Sequence, residues 1–220
     1  MSREFEIWDV EGHSDYLNRS WGDPKNRRGR HWEHMLSAGK LIRGKTVLDV
    51  ACGMGHMFHL LMDMENIDYL GCDSSVEMLK KARGFFPDDK ERFVEGDVFD
   101  LSNFGEVDSV IAVSLLMHLP DIEVPIRQMW SRAKKELIFS IRLDNKGFLS
   151  KRGYSGKTVL PEDKKLILRG EKPPYLYSIF GGLDEVFSVE QFFYDSRSSI
   201  FRLTRLRPRY YRGWNRDFKW

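Results

Sequence analysis

Several features are scarce in this sequence, and each scarcity excludes something. Cysteine occurs only twice, at Cys52 and Cys72. Their spacing fits neither a zinc ribbon nor a redox motif, and two residues are too few for a disulfide framework. Both are expected to be free thiols acting as small buried hydrophobes. No apolar run approaches the roughly 18 residues that a membrane span requires, so no membrane partner is expected. The first residues, MSREFEIWDVEGHSD, mix acids with apolar residues and lack both the apolar core of a secretory signal and the acid-poor character of a transit peptide. A cytoplasmic location is the expectation. His31 with His34, and His56 with His59, are spaced i,i+3 but have no cysteine or acidic partner nearby, so no metal is expected. Internal repeats and low-complexity segments are absent.

The 220 residues, 41% hydrophobic and 31% charged, suit one globular domain with a substantial core. Net charge is only +2, but it is unevenly spread. From Arg197 to Lys219 there are seven arginines and one lysine against the single acid Asp217. Removing that segment's +7 from the chain's +2 leaves about −5, so the body is mildly acidic and forms no nucleic-acid footprint of its own.

The chain divides into a mixed N-terminal cap (1–40), a core (41–142), a polar insertion that could form a substrate lid (143–182), a C-terminal helix and edge hairpin (183–206) and a basic, aromatic tail (207–220). The core opens on Val47, Leu48, Val50 and Ala51, a run typical of a strand buried on both faces. A glycine turn then leads into a helix carrying Met57, Phe58, Leu60, Leu61 and Met64. Further strands are expected at Asp68–Cys72, Arg92–Glu95, Val107–Val113 and Leu137–Ile141. The helix after the second strand begins at a Ser74-Ser75-Val76-Glu77 capping box, and another covers about Asp121–Ala133. A short helix is expected near Leu183–Phe187, followed by antiparallel strands at Val189–Tyr194 and Ser199–Leu206. The alternation predicts an α/β fold: a Rossmann-like, mostly parallel seven-stranded sheet with helices on both faces and an antiparallel C-terminal edge hairpin.

The informative segment is Val47-Leu48-Asp49-Val50-Ala51-Cys52-Gly53-Met54-Gly55-His56, between the first strand and first helix. Glycines there let a ligand approach the backbone closely, while the helix start offers free N–H donors. Phe58 stands where a dinucleotide fingerprint has its third glycine, which disfavours NAD. Asp49 at the strand end would repel a pyrophosphate but suits a ligand carrying an ammonium and a sulfonium. Asp73 ends the second strand, 18 residues after Gly55, near the spacing at which an acid reaches ribose hydroxyls. Asp97, after the third strand, can accept from an exocyclic adenine amine. Three acids in register at the carboxyl edge define one crevice.

On these residues the sequence resembles the class I S-adenosylmethionine-dependent methyltransferases, in particular the small-molecule group with an hhDhGCGxG-like first motif. The resemblance covers about Thr46–Arg142. Ala51 stands where that family usually has its first glycine. The resemblance implies S-adenosylmethionine as cofactor and S-adenosylhomocysteine as product. Asp49 and the backbone of Ala51, Cys52, Gly53 and Gly55 would surround the methionine moiety, Asp73 with Ser74 would hold the ribose, and Asp97 with Val98 would contact adenine. Ser114, at the end of the fourth strand, would lie near the methionine amino group and the methyl.

Methyl transfer is a direct displacement, so the protein mainly aligns the partners and can remove a proton. His118, in the loop after the fourth strand, is the candidate base; its alternative role is to pack or orient that loop. Tyr16, Trp21 and Arg30 are candidates for a cap over the cofactor, or for a helix packed on the sheet edge. Tyr175 and Tyr177, with Phe180, could wall the acceptor site or cover the core. A small-molecule acceptor is expected. One alternative is an RNA or protein acceptor engaged through the basic tail, with nucleic acid held by residues 197–220, where arginines interleave with Phe201, Tyr210, Tyr211 and Trp214. Against it, Ser114-Leu115-Leu116-Met117 replaces the Asn/Asp-Pro-Pro-aromatic motif of many base-amino methyltransferases. Another alternative is a protein that binds the cofactor without turning it over.

Overall fold

The computed structural model describes residues 7–10, 22–26, 30–64, 66–152, 154–155, 158–159, 162, 166–194 and 198–205. In chain order, α1 (Arg30–Gly39) precedes β1 (Thr46–Val50), α2 (His56–Leu61), β2 (Asp68–Asp73), α3 (Val76–Phe85), β3 (Phe93–Glu95), β4 (Val107–Ala112), α4 (Glu123–Arg132) and β5 (Ala133–Arg142). There follow β6 (Phe148–Arg152), β7 (Tyr154–Ser155), β8 (Thr158–Val159), β9 (Leu166–Gly170), α5 (Pro173–Gly181), β10 (Val186–Phe193) and β11 (Ser198–Arg205). The main sheet runs β10-β11-β5-β4-β1-β2-β3. Strands β1 to β5 are mutually parallel, β11 is antiparallel to β5, and β10 is antiparallel to β11 at the edge. The fold is the expected Rossmann-like α/β sheet with its antiparallel C-terminal hairpin.

Alternation along the central strands separates two cores. Leu48 and Val50 of β1, Val110 and Ala112 of β4, and Leu137, Phe139 and Ile141 of β5 pack against Ile126 and Met129 of α4 and Leu176, Ile179 and Phe180 of α5. Val47, Ile111 and Ile138 point the other way, toward Met35 and Ala38 of α1, Met57, Phe58 and Leu61 of α2, and Leu79 and Ala82 of α3. Strands covered on both faces cannot alternate apolar with polar, which is why they read as near-continuous apolar runs.

The helix expected near Leu183–Phe187 lies ten residues earlier, at Pro173–Gly181, and β10 begins at Val186. Pro173 and Pro174 read as loop residues in sequence, yet they occupy the first turn of α5, where a missing N–H removes no helical hydrogen bond. Helix α3 also starts differently from the expected box. Its cap is Ser75, whose Oγ accepts from Met78 N–H at 3.1 Å. The second half of the cap comes from far along the chain: Asp9 accepts from Ser75 Oγ at 2.6 Å and from Glu77 N–H at 3.1 Å. Residues 143–172 hold a ribbon, β6 paired antiparallel with β9, and the shorter pair β7–β8.

At the amino edge of the sheet, Glu136 of β5 is buried and fully engaged. Its Oε1 accepts from Arg43 N–H (2.6 Å), Gly44 N–H (3.2 Å) and Ser109 Oγ (2.7 Å), and its Oε2 meets Arg202 Nε at 2.8 Å. One carboxylate thus joins the turn before β1 to β4, β5 and β11. Arg202 also reaches Glu190, and Arg205 lies over the Trp130 ring and pairs with Glu185. These two arginines belong to the basic segment read in sequence as a docking surface, and in the structure they brace the hairpin. Phe201, one of its stacking aromatics, is fully buried. Arg197 and residues 206–220 lie outside the described residues.

Candidate functional site

The chain leaves β1 for α2 on one face of the sheet and β4 for α4 on the other, so a crevice opens between the carboxyl ends of these adjacent strands. Left-handed backbone conformations gather there: Ala51 (φ 61°), Gly53 (φ 55°) and Gly55 (φ 87°) after β1, and Ser114 (φ 62°) after β4. Among the described residues, a Cβ at Gly53 would meet nothing within 4 Å beyond its chain neighbours, so this turn presents open backbone. At Gly55 a Cβ would press against the Phe86 ring at 2.9 Å. The space that a third glycine would leave is filled by Phe58, packed among Tyr69, Phe86 and Phe93.

Asp49 and Asp73 are both buried beside this turn. Asp49 accepts from the Tyr69 hydroxyl at 2.7 Å, and burial pushes its carboxyl up to about 7, against the opposing pull of that hydrogen bond. Asp73 accepts from Gly53 N–H at 2.8 Å and Ser75 N–H at 2.9 Å, and burial raises it to about 6. Among the described residues the charge acting on Asp49 is Asp73, another carboxylate, and no cation bridges either. Burial, reinforced by these carboxylates, pushes the free thiols of Cys52 and Cys72 well up, so neither is a ready nucleophile. Asp97 follows β3 on the exposed rim and accepts from Phe99 N–H at 2.9 Å, while Val98 turns into the core.

Ser114 donates its N–H to Ser140 Oγ at 2.7 Å, and its own Oγ lies 3.5 Å from His34 Nδ1 of α1. His34, one of the spaced histidines, is buried and stacks on Tyr194 at 4.3 Å. His118 bonds through Nδ1 to the carbonyl of Ile167 in β9 at 2.9 Å. A carbonyl only accepts, so Nδ1 carries the proton and Nε2 keeps its lone pair. Burial holds the ring below its usual pKa, in the neutral form. Arg169 of β9 also reaches the carbonyl of Leu119, so the ribbon clamps the loop after β4 at two points.

The segment over the crevice is Ile7–Val10. Trp8 meets the His118 ring edge-on at 5.2 Å and packs with Met54 of the glycine turn and Met78 of α3, while Asp9 caps α3 as described above. Sequence drew attention to the aromatic N-terminal region, but the residues placed there are Trp8 and Asp9. Tyr16 and Trp21 lie outside the described residues, as does the side chain of Arg30, the first residue of α1. Tyr175, half-exposed near Asp121 and Glu171, stands beside the loop after β4. Tyr177 instead donates to Gln191 and packs edge-on against Phe180 and Phe201, over the C-terminal hairpin. Of the spaced histidines, His56 bonds the carbonyl of Gly22 and is pushed down to about 4 by burial, His59 Nδ1 lies 3.2 Å from Met62 Sδ, and the side chain of His31 lies outside the described residues.

Residues 47–136 match the sequence model of a family described as a methyltransferase domain. Over that stretch, less than half of its length, the chain is similar to methyltransferase domains. Solved structures share its fold across nearly the whole chain. Magnesium protoporphyrin IX methyltransferase from Synechocystis PCC 6803, with bound S-adenosylmethionine, aligns with a TM-score of 0.64 at 21% identity over 91% of this chain and 94% of its own. A putative methyltransferase in complex with the Trm112 activator of Haloferax volcanii gives 0.62 at 17% identity over 92% and 97%. DesVI of Streptomyces venezuelae gives 0.62 at 15% identity over 88% and 98%. A search of curated protein sequences returns no match.

Ala51 is unusual in this turn because it is not a glycine. Its φ of 61° places a β-carbon in a region that disfavours one by roughly 1–2 kcal/mol. Ala51→Gly is therefore expected to stabilise the protein by about 0.5–1 kcal/mol after the extra freedom of glycine in the unfolded chain is subtracted. Urea unfolding measures this directly, and a destabilised variant would show that the alanine methyl packs usefully.

Proposed function

We propose that this protein transfers the methyl group of S-adenosylmethionine to a small organic acceptor. The observation that carries this reading is the pair of buried carboxylates, Asp49 and Asp73, set beside an open left-handed turn with no cation among the described residues to balance them. Leaving buried carboxylates charged and unpaired is costly, and a cationic ligand relieves that cost. The donor set fits S-adenosylmethionine: Asp49 and the backbone of Ala51 to Gly55 toward the ammonium and sulfonium, Asp73 and Ser74 toward the ribose hydroxyls, Asp97 and Val98 toward adenine, and Ser114 beside the methionine end. A pyrophosphate would face the same two carboxylates and be repelled. When bound, this cofactor supplies a methyl carbon already activated by a positive sulfur.

The acceptor is best accommodated beside the loop after β4, where Trp8 meets His118 and Tyr175 stands near Asp121. The tautomer fixed by Ile167 leaves His118 Nε2 free to take a proton from the acceptor as its nucleophile is methylated. Bracing of Arg202 and Arg205 within the hairpin, together with burial of Phe201, removes part of the surface that would dock a nucleic acid. One solved structure of the same fold is named for a porphyrin substrate, which is consistent with a small acceptor.

Calorimetric titration with S-adenosylmethionine, S-adenosylhomocysteine and NAD tests the cofactor. Binding of the first two, lost in Asp73→Ala, is expected, whereas binding of NAD alone would overturn the reading. Incubation with methyl-labelled cofactor and fractionated cell extract tests the acceptor. Label is expected in the low-molecular-weight fraction, and label confined to RNA or protein would contradict a small acceptor.

A further inference from the structure

Asp49 and Tyr69 lie on neighbouring strands, two residues out of register and on the same face: Val47 pairs with Tyr69, and Asp49 pairs with Gly71. The tyrosine hydroxyl reaches the carboxylate at 2.7 Å by crossing over Gly71, where any β-carbon would sit 2.7 Å from that hydroxyl and 2.9 Å from Cys52 Cβ. The glycine at 71 is thus the opening through which Tyr69 gains access to Asp49. Around the pair, the Tyr69 ring packs against Phe58 and Phe93 and is almost fully buried, so its hydroxyl has no competing water. The groups acting on Asp49 are Tyr69 and Asp73 on β2; Cys52 in the glycine turn and Cys72 on β2 feel its charge in turn. Ile111 is its register partner on β4.

These contacts give the hydroxyl a function beyond packing. A buried carboxylate flanked by a second carboxylate tends to keep its proton, and a protonated Asp49 offers a cationic ligand nothing to pair with. Donation from Tyr69 favours the ionised form, because a hydrogen bond to a charged acceptor is stronger than one to a neutral acid. We propose that Tyr69 is a positioning residue for cofactor capture, holding the Asp49 carboxylate charged and oriented toward the glycine turn so that a sulfonium and ammonium ligand can bind near neutral pH. The inference rests on the functional reading above and assigns to β2 a part in binding that no residue of the glycine turn supplies.

The test is the pH dependence of S-adenosylmethionine affinity, measured by calorimetry between pH 5.5 and 9 for the wild type, Tyr69→Phe and Asp49→Asn. Wild-type affinity should rise with pH and level off above neutrality, since Asp49 is pushed up to about 7. Tyr69→Phe keeps the ring and its aromatic packing. Its binding transition should move up by about one pH unit, giving roughly fivefold weaker binding at pH 7 that recovers by pH 9. Asp49→Asn should bind weakly at every pH. Recovery at high pH separates tuning of Asp49 from a structural defect, which would weaken binding throughout. An unchanged transition in Tyr69→Phe, or a loss that high pH does not restore, would overturn the inference while leaving the cofactor assignment intact. Failure of the wild type to bind at any pH would instead overturn the functional reading.

Discussion

Asp49→Asn is expected to make the ligand-free protein more stable at pH 8 while weakening S-adenosylmethionine binding roughly 100-fold. The two effects have one origin. Folding moves Asp49 from water into a site where its carboxyl is pushed up from 3.8 to about 7, chiefly by burial. A carboxyl raised on folding favours the native state most when it is protonated in both states. Its contribution is therefore fully present below about pH 4 and is lost progressively as pH rises through 7. A shift of that size corresponds to about 4 kcal/mol, to the nearest kcal/mol or two. Asparagine offers the same shape and an oxygen for the Tyr69 hydroxyl, but it carries no charge to desolvate. The variant should match the wild type near pH 4 and exceed it by about 2–4 kcal/mol at pH 8 in urea unfolding. A variant less stable than the wild type at pH 8, or one that binds the cofactor normally, would show that Asp49 is not held as a charged ligand group.

Asp73 adds to the same trend, since it is raised to about 6 and acts on Asp49. The crevice is thus a place where stability is given up so that a cation can be bound, and ligand binding should restore it by mass action.

Much of this arrangement was legible in the sequence because it depends on short-range pattern. A run such as Val47-Leu48-Asp49-Val50 reads as a doubly covered strand, and the interval from Gly55 to Asp73 follows from the length of one helix and one strand. The antiparallel hairpin at 186–205 was legible for the same reason. The rest depends on contacts that no local pattern encodes. Asp9 completes the cap of α3 from 66 residues away, and Trp8 reaches His118 from 110 residues away along the chain. The Tyr69–Asp49 bond follows from strand register, and the tautomer of His118 is fixed by a carbonyl in the insertion. Helix α5 was missed for another reason. Leu176, Ile179 and Phe180 carry helical spacing, but the two prolines before them signal a loop unless their place in a first turn is considered.

Glu136→Ala is expected to have the largest effect on stability and almost none on the site. This carboxylate is 1% exposed, and it accepts two backbone N–H groups, one hydroxyl and the Arg202 guanidinium. Removing it leaves the Arg43 amide and the Ser109 hydroxyl without their acceptor and the Gly44 amide with Ser109 Oγ alone, while Arg202 keeps only the more exposed Glu190. Breaking a buried pair from one side typically costs about 3–5 kcal/mol, and urea unfolding should show a loss of that order. The network lies at the amino ends of β1, β4 and β5, whereas Asp49, Asp73 and Ser114 lie toward the carboxyl ends of their strands. Cofactor affinity, measured at a temperature where the variant is folded, should therefore stay within about twofold of the wild type, because sites that share no partners act nearly independently. A loss below about 1 kcal/mol would mean that the network is replaceable by water. A large loss of affinity in the folded variant would mean that the two ends of the sheet are coupled.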